Sequence, residues 1–72
     1  MNIEATLAKC RAALEMQQDI PEYTRSWHGK ARLKEAEKRI NRAYSGMVSD
    51  DEPEIIGDEL QSAAALLGVE VV

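Results

Sequence analysis

The 72-residue chain has no phenylalanine, one tryptophan, two tyrosines, one cysteine and two prolines. With so few aromatic side chains, and with Ala filling ten of its hydrophobic positions, its core must be thin. A chain this short buries only about 60% of the surface its unfolded form exposes. Self-association is therefore the expected supplement to stability. The single cysteine, Cys10, excludes an intrachain disulfide and a cysteine-rich zinc site. With no charged apolar leader at the N-terminus, it also fits a reducing cytoplasm, which is the expected location. The longest apolar run, Ala63 to Leu67, falls far short of the roughly 20 residues a membrane helix needs, so no membrane partner is expected.

Several chemical signatures are missing too. There is no glycine-rich phosphate loop, no GxSxG turn and no HExxH pair. The carboxylates Asp50, Asp51, Glu52, Glu54, Asp58 and Glu59 lack the central glycine and closing glutamate of a calcium loop. His28 is the only histidine and has no second ligand at a metal spacing, so it reads as an exposed residue of a first helical turn. Cys10 lies on an apolar seam, where it acts as a small hydrophobe. No catalytic residue, metal ligand or cofactor is expected, and the chain reads as non-enzymatic.

Helical periodicity is what the sequence does supply. The expected fold is all-α, either a small antiparallel three-helix bundle or a helical hairpin plus a third helix, in a single domain over 1–72. The helices are expected at about 2–18, 22–45 and 51–67. Asn2 is a good N-cap, and Ile3, Leu7, Cys10 and Leu14 recur at helical spacing before Pro21 stops the first helix. Pro21 suits a helix start, with Thr24 and Ser26 as further caps. Leu33, Ala36, Ile40, Ala43 and Met47 form the second seam, with Tyr44 beside it and Gly46 as the expected C-cap. Ser49 and Glu52 have the spacing of a capping box for the third helix, whose seam is Ile56, Leu60, Ala63 and Leu67 and whose stop is Gly68. The β-prone tail Val69 to Val72 either folds back or pairs with another chain.

Charge is distributed very unevenly along this pattern. Residues 1–24 carry two basic and four acidic groups, residues 25–42 seven and two, and residues 43–72 none and seven. The segment charges are −2, +5 and −7, summing to the formal −4. At about 100° per residue, Trp27, Ala31, Lys34, Lys38 and Arg42 climb one face of the second helix, with Lys30 beside them. Arg32 and Arg39 fall on the opposite flank. A tryptophan at the head of a basic stripe is a platform for a base, with cations for phosphates. Alternatively, Trp27 closes the open end of the bundle and the cations are a solvated face paired with the acidic third helix.

Two short stretches resemble known families. Pro53-Glu54-Ile55-Ile56 followed by Glu59-Leu60-x-x-Ala63-x-x-x-Leu67-Gly68 is similar to the helix that closes the helical domain of tRNA-modifying GTPases. The chain has neither a nucleotide-binding G domain nor that family's terminal cysteine motif, so the resemblance implies a helix and no GTPase activity. Leu33-x-Glu35-Ala36, followed by Asn41, Ala43 and Tyr44, is loosely similar to the helical hairpin of phage proteins that sequester cyclic nucleotide immune signals. Charged Glu37, Lys38 and Arg39 stand where that hairpin is apolar. That likeness implies a small, oligomeric, non-catalytic sponge of phage origin.

The leading expectation is a small acidic helical module that self-associates as a homo-oligomer and binds or blocks a protein partner. The alternative is a binder of an anionic ligand, a nucleotide, cyclic nucleotide or nucleic-acid phosphate. In both, the candidate residues are Trp27, Lys30, Lys34, Lys38 and Arg42.

Overall fold

The computed structural model describes all residues from Met1 to Val72 and contains helices only. They are α1 (Ile3–Gln18), α2 (Pro21–Thr24), α3 (Trp27–Val48) and α4 (Pro53–Leu67). Two of the starts follow directly from capping chemistry. The Asn2 side chain accepts from the Ala5 N–H at 3.0 Å, and the Ser26 hydroxyl accepts from the Gly29 N–H at 2.9 Å. Pro21 opens α2 behind an extended Ile20. The second expected helix is thus divided into a one-turn α2 and a long α3. At about 1.5 Å per residue, the 22 residues of α3 run most of the 37 Å length of the molecule.

Two boundaries differ from expectation, and both trace to Asp50. α3 does not stop at Ser45; it continues to Val48, with Gly46 inside the helix. Asp50 is left-handed, with φ of 59°, and the Asp51 N–H donates to the Gly46 carbonyl at 2.9 Å. This six-to-one bond is the Schellman closure, made here on aspartate instead of glycine. It leaves Ser49 at the end of α3, so the expected capping box with Glu52 does not form. Glu52 is extended, as the residue before a proline must be, and α4 starts at Pro53 without a side-chain cap. At the other end of α4, Gly68 takes φ of 70° and the Val69 N–H reaches the Ala64 carbonyl at 3.0 Å, the same closure on glycine.

α3 runs antiparallel to α1 and to α4, and α3 with α4 forms the most extensive helix pair. The core is Leu7, Cys10, Ala13 and Leu14 from α1, Leu33, Ala36, Ile40 and Ala43 from α3, and Ile56, Leu60, Ala63, Ala64 and Leu67 from α4. Ile3 and Met47 flank it, half-buried. Five of these thirteen buried residues are alanine, so stability depends on close helix approach more than on large side chains. Gly46 shows how close: a Cβ there would stand 3.1 Å from Ile56 Cγ1 and 3.3 Å from Asp51 Oδ2. Burial pushes the Cys10 thiol pKa up, which keeps it neutral in the core.

Two buried polar residues were not foreseen. Gln17 donates from Nε2 to the Leu67 carbonyl at 2.9 Å, serving an end of α4 that has no basic residue in its last turn. Thr6, fully buried, accepts from the Val72 N–H at 3.1 Å, and the Val72 carbonyl accepts from the Asn2 N–H at 2.6 Å. The tail therefore folds back in cis, along α1 to its first turn.

These backbone features set a graded stability series. Asp50→Gly should raise unfolding free energy by about 0.5–1 kcal/mol, because it removes the left-handed penalty of a side chain. Gly57→Ala should add a similar amount, roughly 0.5–1 kcal/mol, since no neighbour lies within 4 Å of the new Cβ. Gly29→Ala should lose about 1–3 kcal/mol, because its Cβ would run into the Tyr23 carbonyl. Urea denaturation of the three variants checks the order.

Candidate functional site

Helix geometry sorts the basic residues of α3 into two sets. Those turned toward α4 are engaged. Arg39 donates from Nε to Glu35 at 3.0 Å and from Nη1 to Glu59 of α4 at 3.2 Å. These bonds, to Glu59 first and then Glu35, raise its pKa and hold the guanidinium in place. Arg32 donates to the Leu66 carbonyl at 2.6 Å, and its guanidinium carbon sits 5.1 Å from the centre of the Tyr23 ring. It thereby joins α2, α3 and the C-terminal end of α4, where positive charge also suits the helix dipole.

The set turned outward has no such partners. Lys30, Lys34, Lys38 and Arg42 are exposed, and none lies within ion-pair distance of a carboxylate. The acidic helix thus pairs one α3 cation, Arg39, and leaves the stripe unneutralised. Trp27 does not close the bundle: it is 76% exposed and touches His28 edge to face at 5.2 Å. Tyr44, beside the α3 seam, lies 4.7 Å beneath the guanidinium carbon of Arg11 from α1.

The candidate residues do not all share one hollow. Lys34, Lys38 and Arg42, with Ala31, line an open groove of about 930 Å³ that continues over Ser49, Asp51 and Ile55 at the start of α4. Lys30 and Lys34 border a separate shallow depression with Gln18, Thr24 and Glu37. Trp27 lines neither. What the sequence did not mark is the acidic and apolar half of the main groove. Asp51 and Ile55 reach it because α3 and α4 are antiparallel and close at Gly46, a contact that appears only once the turn is built.

No group of three or more histidine, cysteine, aspartate or glutamate side chains is arranged to hold a metal ion. No helix is long and apolar enough to cross a membrane. Chemically, the arrangement presents a stripe of unneutralised cations next to carboxylates and an exposed isoleucine, along a groove open to water.

If the outward stripe has no structural partner, removing it should leave the fold untouched. Lys34→Ala, Lys38→Ala and Arg42→Ala should each change unfolding free energy by no more than about 0.5 kcal/mol. Thermal melts followed by circular dichroism give the comparison, and a larger loss at any of the three would show a structural role.

Compared with known proteins, the chain matches no family model, no curated protein and no solved structure, so neither sequence resemblance gains a counterpart.

Proposed function

We propose that the chain is a non-enzymatic interaction module that self-associates and occupies an acidic surface of a protein partner through the outer face of α3. The observation that carries this reading is the exposed stripe Lys34, Lys38 and Arg42, none of them paired within the molecule. Unpaired cations on a rigid helix supply steering and orientation toward negative surfaces. The shape of the groove favours a macromolecule over a small ligand. Small-molecule sites enclose most of their ligand, whereas this groove is open, and Ala31 and Ile55 are the two hydrophobic residues that line it.

One observation keeps a second reading in view. The indole of Trp27 heads the stripe and is open to solvent, so a nucleotide base has a surface to stack on while Lys34, about 10 Å further along the helix, meets a phosphate. That is the anionic-ligand reading, with nucleotide, cyclic nucleotide or nucleic-acid phosphate as the ligand.

Trp27 is the only tryptophan, so its emission separates the two readings without a label. Titration with a glutamate-rich peptide should shift the emission, and both added salt and the Lys34→Ala/Lys38→Ala/Arg42→Ala combination should abolish the shift. Mono-, cyclic and oligonucleotides should give no response. A response to nucleotides alone would replace the leading reading by the second, and silence toward both would remove the α3 face as a binding surface.

A further inference from the structure

We infer that the partner is an amphipathic helix seated along the outer α3–α4 groove, with one acidic side chain against each of Lys34, Lys38 and Arg42. Apolar residues toward the two ends of that helix meet Ile55 and Trp27. The inference rests on the partner-binding reading proposed above and names the form of that partner. Three observations lead to it.

The first is how narrow the positive charge is. Lys34, Lys38 and Arg42 follow one another at single-turn intervals, about 6 Å apart along the α3 axis. Carboxylates border them on both sides. Toward α4 stand Glu35 and Glu59, both held by Arg39, with Asp51 at the turn. On the other flank stands Glu37, which also borders the depression beside α1 and pairs with no cation. A broad acidic surface would set much of its charge against these carboxylates, where like charges repel. A stripe one residue wide, with an acid on each successive turn, meets the cations alone.

The second is the make-up of the walls. The groove is lined by α3, the turn that follows it and α4, with no residue of α1. α1 packs against both of these helices elsewhere, so a helix in the groove would complete a four-helix arrangement. The main-chain groups of helical walls are bonded within their own helices. An extended peptide laid along them finds no backbone partner, whereas a helix arrives with its own backbone bonds made. Both walls are already fixed by the core, so docking needs no large rearrangement of this chain.

The third is an exposed apolar residue beyond each end of the stripe. Ile55 lines the groove, and its neighbour Ile56 comes within 3.1 Å of where Gly46 would carry a Cβ, which puts Ile55 one turn past Arg42. At the opposite end Trp27 stands two turns before Lys34 on the same face of α3, open to solvent. The two lie about 28 Å apart along the helix, a span of roughly 20 helical residues. Apolar contacts at both ends supply the burial that screened ion pairs lack, while the charges between them fix register. Trp27, which lines no hollow of its own, thereby gains a contact.

Fluorescence anisotropy with labelled peptides of about 20 residues, at low ionic strength, tests the arrangement. The stripe peptide carries glutamate on three successive turns, with a leucine one turn before the first and another two turns after the last. A scrambled peptide of the same composition scatters those residues around the helix, and a third carries proline at the centre of the stripe. The stripe peptide should bind about tenfold more tightly than either control, the combined effect of three weak screened pairs held in register. Lys38→Glu should weaken it by about tenfold, and lysine in place of the peptide's middle glutamate should restore binding to that variant, which a misfolded protein could not do. Equal binding of the scrambled peptide overturns the inference and leaves the acidic-surface reading standing. Equal binding of the proline peptide shows an occupant that is not a helix and overturns it as well. If no stripe or scrambled peptide binds while a uniformly glutamate-rich one does, the register is wrong and the surface stands; silence toward all of them removes both.

Discussion

The close approach of α3 to α4 is the contact on which the rest of the molecule depends. It is possible because the facing positions are small: Ala36, Ala43 and Gly46 on one helix, Ala63 on the other, all buried. A core with so little side-chain volume gains stability only if backbones come near enough for dispersion contacts to accumulate. Once they do, the α3 flank facing α4 meets it directly, and Arg32 and Arg39 find Leu66 and Glu59 within hydrogen-bond reach. The same rotation that satisfies those two arginines turns Lys34, Lys38 and Arg42 to solvent. The unpaired stripe is thus a geometric consequence of how the core closes.

The polar contacts around this core are few, and each has a definite task. Arg32 and Gln17 accept the duty of holding the C-terminal carbonyls of α4, which has no basic residue of its own there. Thr6 and the Asn2 N–H fix Val72, so the tail covers the first turn of α1 and does not present a free edge. Arg39 bridges Glu35 and Glu59, although solvent-screened ion pairs of this kind contribute little to stability. Their larger effect is on register, since they fix which levels of α3 and α4 stand side by side.

Much of this build was legible from residue spacing. The seams Leu7–Cys10–Leu14, Leu33–Ala36–Ile40–Ala43 and Ile56–Leu60–Ala63–Leu67 are buried as their periodicity indicates, because apolar residues three and four apart share a helix face. The separation of Arg32 and Arg39 from Lys34, Lys38 and Arg42 followed from the same arithmetic. The end of α3 did not. Gly46 looked like a stop because glycine commonly is one, yet tertiary packing used its missing side chain for helix approach and assigned the left-handed turn to Asp50. The burial of Thr6 and Gln17 was hidden for a related reason: both serve partners some fifty or more positions away in sequence, which no local window contains. The groove's acidic and apolar half, Asp51 and Ile55, depended on that same unrecognised turn.

The central claim is that two arginines of α3 are structural and its outward cations are not. Arginine side-chain Nε–H exchange, measured by NMR in the intact protein, tests it most directly. Arg39, bonded through Nε, should exchange slowly with a distinct, salt-insensitive resonance, and Arg32, bonded through Nη1, should show slowed rotation of its guanidinium, while Arg42 and Arg25 should exchange at the rate of free arginine and rotate freely. An Arg42 as protected as Arg39, or an Arg39 averaged to the free rate, would contradict the account.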